Sequence, residues 1–298
     1  MLTFFTVPKA FIGHIGVIQE NALRSWRSVQ PNSQILLFGN EAGTADVCAR
    51  LGLTHLKDTE TNSYGTPLLD DVFRRAQELA SFPTVCYVNT DIILPPTFGL
   101  LPPGLSLRPF LLIGQRWDLN VTVPLDMSDA NWFDQLREDV AVRGRMHEPS
   151  GSDYFLFRRG DTVGELLPFA VGRPGWDNWM IYHAHRQHVP VIDATLSWQV
   201  VHQNHDYSHV PKRREDSWEG PEADENRGLL ESNARLFTLS NATHILRAGS
   251  VQRRFDPAFL KAALRSRMVA AATPRQVGRW LFALSARVKR RLIFGPGK

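Results

Sequence analysis

The 298-residue sequence predicts an α/β protein built on a doubly wound sheet with helices on both faces. Three observations predict it. Apolar runs of strand length recur through the first hundred residues. Amphipathic segments of helical length stand between them. Polar, chemistry-bearing side chains gather just after the strands end. Strand–helix alternation with short connections is the pattern of a parallel or mixed sheet. Ligands of such sheets bind beyond the carboxyl ends of the strands.

Residues 2–9 read as a first strand ending in a polar loop. Residues 14–29 then place Ile15, Ile18, Ala22 and Trp26 on one helical face. Residues 35–40 are a second strand closing on a Gly turn, and 45–53 a second helix. A loop over 62–67 opens a third helix that runs from Pro67 to about Leu79. Residues 85–91 follow as the most informative stretch. Val85-Cys86-Tyr87-Val88 is the apolar run of a strand buried on both faces. It ends in the polar triplet Asn89-Thr90-Asp91, and a second apolar run begins at Ile92. An Asp at a strand's end can hold a hard cation, and the cation can hold phosphate oxygens.

The second half adds three segments dense in titratable groups. Residues 151–157 are a polar turn entering a strand. Residues 172–179 are a Gly/Pro-rich loop entering a helix over 178–188. Residues 200–209 are a strand running into a His-rich loop. A further strand, 110–114, is followed by Gln115, Arg116, Trp117 and Asp118. Functional groups concentrate on such loops above a rigid sheet.

The Asn89-Thr90-Asp91 triplet resembles the Asp-x-Asp motif of the GT-A glycosyltransferases, with Asn89 in the first Asp position. The order of elements over about residues 1–210 is also similar to theirs. The triplet, the stretch Gly175-Trp176-Asp177-Asn178-Trp179 and the stretch 202–209 are similar to those of a group of bacterial and plant GT-A-like proteins. The resemblance implies a GT-A type doubly wound mixed sheet flanked by helices, and transfer of a sugar from a UDP- or GDP-linked donor to a hydroxyl of a glycan or lipid-linked acceptor. It implies Mn²⁺ or Mg²⁺ held by Asp91 with His202 or His205. It implies Asp177 as the base that takes the acceptor proton, with inversion at the anomeric carbon; capping of the 178–188 helix is the competing role for Asp177. Trp176 would line the sugar. Asn89 and Thr90 would stand near the ribose or a metal-bound water. Thr6, Val7, Pro8 and Glu41, at the ends of the first two strands, and Asn62, Tyr64 and Gly65, before the third helix, would hold the nucleotide. Arg116, Trp117, Asp153 and Tyr154 are candidates for substrate contact.

Two other classes compete. A nucleotidyltransferase would share the sheet and the metal-bound phosphates, but Thr6-Val7-Pro8-Lys9 is not a Gly-rich phosphate loop. A non-catalytic nucleotide- or sugar-binding protein draws its support from Asn89.

Hydrophobic residues make up 43% and charged residues 21%, the balance of a globular enzyme. The two cysteines, Cys48 and Cys86, fall in a helix and a strand and read as inert buried thiols. No apolar run reaches 18 residues and no signal-peptide pattern is present, so a cytoplasmic location is expected. The organisation expected is a catalytic domain over 1–245, with a nucleotide-binding half to about residue 100 and an acceptor half over 101–245. A basic helical extension follows over 246–298. That extension carries thirteen Lys and Arg against one acid, Asp256, and within 274–294 apolar residues recur at helical spacing. A basic amphipathic helix fits peripheral contact with an anionic membrane. Packing on the catalytic domain is the alternative. Nucleic-acid binding is disfavoured because no recognition motif accompanies the charge.

Overall fold

The computed structural model describes residues 1–105, 108–205, 218–255 and Leu264. Its first half follows the sequence pattern closely. Strands β1 (Thr3–Thr6), β2 (Gln34–Phe38), β3 (Thr54–Leu56) and β4 (Thr84–Val88) run parallel, in the order β3–β2–β1–β4. Helices α1 (Gly13–Val29), α2 (Thr44–Leu51) and α3 (Leu69–Leu79) alternate with these strands along the chain. The face of α1 that helical spacing picks out is the buried one: Ile15, Ile18, Ala22 and Trp26. The Trp26 indole donates to the Ile92 carbonyl at 2.8 Å. It therefore anchors β5 (Ile92–Ile93) as well as filling the core.

The second half makes the sheet mixed. β9 (Tyr154–Arg158) runs antiparallel between β4 and β6 (Leu111–Ile113). Then come β10 (Val191–Asp193), β12 (His244–Arg247) and β13 (Ser250–Arg253). Among the described residues the large sheet has nine strands, in the order β13–β12–β10–β6–β9–β4–β1–β2–β3. Successive side chains of a strand face opposite sides, and the core divides accordingly. Phe5, Leu36, Tyr87 and Phe155 pack on one face with Phe73 of α3 and Trp176 and Trp179 of α5 (Trp176–Arg186). Phe4, Leu37, Cys86 and Leu156 pack on the other with Ala22 and Trp26 of α1. Cys48 and Cys86 are both free and buried, and burial raises both thiols, Cys48 to about 11.

A second sheet stands beside the carboxyl edge of the first. It has the order β5–β11–β7–β8, from β11 (Val200–Gln203), β7 (Arg116–Leu119) and β8 (Arg145–Met146). α4 (Trp132–Arg143) packs Trp132, Phe133, Leu136 and Val140 around Ile93, Leu119 and Val201 of this sheet. The last described helix of at least two turns is α6 (Pro221–Leu230).

The hairpin β12–β13 continues the large sheet through Arg253, and Leu246 is buried in its core. The boundary expected after residue 245 thus falls inside a strand. The amphipathic stretch 274–294 lies outside the described residues, as does His209. Among the described residues no helix is long and apolar enough to cross a membrane.

Candidate active site

The ends of β1, β2 and β4, the start of β9 and the small sheet surround one cavity of about 1260 Å³. Its floor is the Asn89-Thr90-Asp91 turn. Because β9 runs against β4, its amino end meets the carboxyl end of β4: Val88 pairs with Tyr154, and the Asn89 amide nitrogen donates to the Asp153 carbonyl at 2.9 Å. The Asn89 side-chain amide donates to Asp153 Oδ1 at 2.8 Å, and Arg116 Nη1 takes Asp153 Oδ2 in a close ion pair. Asn89 lines the cavity with its side-chain amide bonded to Asp153.

The turn is fixed from behind by buried polar groups of α1. Gln19 accepts from the Thr90 hydroxyl at 2.8 Å and from the Lys9 amide at 2.7 Å, and donates to the Lys9 carbonyl at 2.9 Å. Gln203 donates to the Ile18 carbonyl at 2.7 Å and, through its backbone, to the Asp91 carbonyl at 3.0 Å. A buried network with every group satisfied holds its members rigidly.

Asp91, His202 and His205 form the one cluster among the described residues with metal-ligand spacing; one donor atom from each lies within 4.8 Å of the others. His205 Nε2 is 3.2 Å from Asp91 Oδ2, and His202 Nε2 is 3.8 Å from it. The small sheet explains the convergence. β11 and β7 pair in parallel with His202 opposite Asp118, and β11 pairs antiparallel to β5 with His202 opposite Ile92, next to Asp91. His202 Nδ1 consequently sits 3.1 Å from Asp118 Oδ1, within ion-pair distance but without hydrogen-bond geometry. Asp118 also holds His147 Nδ1 at 2.8 Å and accepts from Arg116 Nε at 3.0 Å. A carboxylate on one imidazole nitrogen, leaving the other for a cation, is the usual support of a metal-ligating histidine.

Two further observations fit a cation here. Asp91 Oδ1 is buried and has no hydrogen-bond partner among the described residues. His205 Nε2 lies 3.2 Å from Asp91 Oδ2 and also 3.2 Å from Lys9 Nζ. One ring nitrogen can donate to the carboxylate or accept from the ammonium, not both. Burial alone would raise the Asp91 carboxyl. His202, His205 and Lys9 outweigh it and hold the group well below the usual carboxylate range. Two imidazoles and a carboxylate suit Mn²⁺ better than the oxygen-seeking Mg²⁺.

Asp177 lines the same cavity from α5. The helix N-cap is Gly175, at φ +97°, where a Cβ would meet Leu230 Cδ1 at 2.9 Å. Asp177 sits one residue inside the helix, where its carboxylate accepts from first-turn backbone N–H groups, so a helix-end role and a place on the cavity wall coexist. Burial is the largest influence on its carboxyl and raises it. The backbone N–H groups of Asn178 and Asp177 itself pull it back, and the nearby Asp153 charge pushes it further up. The result is about 7. A carboxyl poised there can take and return a proton near neutrality.

The cavity gathers Val7, Pro8, Glu41, Tyr64, Gly65, Asn89, Thr90, Asp91, Arg116, Asp153, Trp176, Asp177, His202 and His205. Four expected residues do not line it. Tyr154 follows Asp153 in the strand and so faces the other way, into the core against Phe98 and Trp198. Thr6 is wholly buried in β1. Asn62 is a turn residue, accepting from the Tyr64 and Thr66 amides and donating to Glu222 at 2.7 Å. Trp117 packs on the small sheet's core. Trp176 reaches the cavity while its ring packs on Tyr87 with centroids 5.2 Å apart.

Residues the sequence reading did not single out are Lys9, His147, Arg173 and Glu222. Lys9 and His147 line the cavity, and a Cβ on Gly151 would fall 2.5 Å from the His147 ring. Glu222 of α6 pairs with Arg173 at 2.5 Å and with Asn62, tying the 62–66 and 172–175 loops to one helix. Only the polar run after the 110–114 strand hinted at Asp118; nothing local marks Lys9 or Glu222.

No protein-family model and no curated protein matches this chain. Solved structures do. Glucosyl-3-phosphoglycerate synthase from Mycobacterium tuberculosis, in complex with Mn²⁺, UDP and phosphoglyceric acid, is 14% identical over 86% of this chain and 87% of its own, at a TM-score of 0.45. The same protein with Mn²⁺, UDP-glucose and phosphoglyceric acid gives 12%, 78%, 79% and 0.43. S. aureus TarS 1–349 is 14% identical over 41% of this chain and 37% of its own, at 0.30. Likeness this distant leaves the chemistry to be argued from the side chains.

Proposed function

We propose that the chain is a divalent-cation-dependent glycosyltransferase of GT-A type. It would move a sugar from a UDP- or GDP-linked donor to a hydroxyl of a glycan or lipid-linked acceptor. The observation that carries the reading is one cavity holding two separated acid functions. Asp91 with two imidazoles would form a cation site, and Asp177 is a carboxyl raised to about 7. Environments that push two carboxylates apart assign one to charge and the other to proton transfer.

Asp91, His202 and His205 would hold Mn²⁺, and Asp118 would orient His202. When bound, the cation supplies Lewis-acid stabilisation of the departing diphosphate. Val7, Pro8 and Glu41, beyond β1 and β2, would hold the nucleoside. Asp177 would accept the acceptor hydroxyl's proton at a carboxylate oxygen as that hydroxyl attacks the anomeric carbon, which gives inversion. Asp153 is a poorer base because Arg116 and Asn89 already occupy its two oxygens. The basic extension over 256–298 would bring the enzyme to anionic membrane if the acceptor is lipid-linked.

Two imidazoles and one carboxylate are also the donor set of non-haem iron oxygenases. Nucleotide titration separates the two readings. UDP or GDP should bind with Mn²⁺ and much more weakly without it. Equal affinity with and without the metal, or no affinity for either nucleotide, would refute the glycosyltransferase.

A further inference from the structure

We propose that Lys9 is a donor-diphosphate ligand, which counters the Asp91 carboxylate while the cation site is empty and turns to the diphosphate once a cation is bound. The inference rests on the cation site and donor class proposed above.

The geometry is specific. Lys9 follows β1, and its backbone is clamped on both sides by Gln19, through the amide at 2.7 Å and the carbonyl at 2.9 Å. The same Gln19 holds Thr90, next to Asp91. The chain at Lys9 is therefore fixed relative to the cation site, and only the side chain can move. Its ammonium lies 3.2 Å from His205 Nε2, the nitrogen that also faces Asp91. Burial lowers the Lys9 ammonium, and the Asp91 and Asp153 charges facing it offset only part of that cost. The ammonium thus stands against a nitrogen that a cation would need.

A cation and an ammonium cannot share that position, since like charges a few ångströms apart repel strongly in a site shielded from water. A lysine stem with four rotatable bonds can move its charge within the cavity while its backbone stays put. The cavity extends from Lys9 past Pro8, Gly39 and Lys57. A nucleoside diphosphate held at the ends of β1 and β2 would bring its phosphates between Lys9 and the cation. Two positive charges against the diphosphate would then share the work of stabilising it as it leaves.

The two roles predict effects of opposite sign, which a merely structural lysine would not give. Mn²⁺ alone is titrated calorimetrically into the full chain and into Lys9→Met. UDP, GDP and the matching nucleosides are then titrated at saturating Mn²⁺. Lys9→Met should bind Mn²⁺ about tenfold more tightly, because a competing positive charge is gone, and the preferred nucleoside diphosphate about tenfold more weakly. Nucleoside affinity should not change. Lys9→Gln is the second variant if Met disturbs the fold, with the same signs expected, and near-ultraviolet circular dichroism checks packing. Unchanged or weaker Mn²⁺ binding by a folded variant overturns the inference. Equal losses for diphosphate and nucleoside also overturn it. If the unmutated chain binds no Mn²⁺, the cation site itself fails, and with it both proposals.

Discussion

Replacing Asp177 with Asn should make the protein more stable at high pH while abolishing transfer. The Asp177 carboxyl is raised from its ordinary 3.8 to about 7, mainly by burial. Below pH 3.8 it is protonated in both the folded and unfolded chain, and titration costs nothing. Between 3.8 and 7 the unfolded chain gives up the proton while the folded chain keeps it. Stability therefore falls as pH rises through this window, and above 7 the loss is complete. Asn resembles the protonated carboxyl in shape and charge and can accept the same first-turn N–H groups, so it escapes the loss. From pH 5 to pH 8 about two pK units remain to be lost, which at ~1.36 kcal/mol each is ~2.7 kcal/mol. Asp177 is partly exposed to the cavity, and water there lowers the cost of ionising it. We expect about 1–2 kcal/mol, or roughly 2–3 °C in Tm for a chain of this size. The assay is thermal unfolding of both proteins at pH 5 and pH 8, read as the change in their difference, which cancels any fixed effect of the amide. A difference that does not grow with pH would refute the buried-carboxyl reasoning. Donor binding by the variant should survive, since proton removal and donor binding are separate tasks. Near-normal transfer by the variant would remove Asp177 from the role of base.

Asp91→Ala should abolish the Mn²⁺-dependent part of nucleotide binding without unfolding the protein, as read by calorimetry with and without metal. Asp118→Asn should weaken Mn²⁺ binding by about 10–100-fold, because an amide lacks the charge that Asp118 presents to His202 and His147; Mn²⁺ affinity within twofold of the unmutated chain would count against that support. The full chain should co-sediment with anionic vesicles at 0.05 M salt and release them near 1 M, where the Debye length falls to ~3 Å. A truncation after residue 255, which leaves β13 intact, should not bind; equal binding by the truncation would favour the packed-helix alternative.

Local sequence determined a good part of this protein. The face of α1 carrying Ile15, Ile18, Ala22 and Trp26, the buried run of β4 and the polar turn at Asn89-Thr90-Asp91 are all written in residue periodicity, which the backbone's own repeat enforces. The positions of Asp91 beyond a strand end and of Asp177 at a helix start follow from the same local pattern, whereas His202 lies within β11 itself. What the sequence left undecided is what depends on pairing between distant segments. Asp153 and Tyr154 are neighbours, and either could have faced the cavity. The antiparallel register of β9 on β4 turned Asp153 toward Asn89 and Tyr154 into the core. Asp118 came under His202 because β7 and β11 pair with those residues opposite, across 84 positions of chain that carry no trace of it. Lys9 looked like the end of a strand until Gln19 clamped it against the Asp91 turn. Periodicity is a property of neighbours along the chain. Register, and the meeting of charges that follows from it, is settled only when the hydrophobic faces of separate elements close on one another.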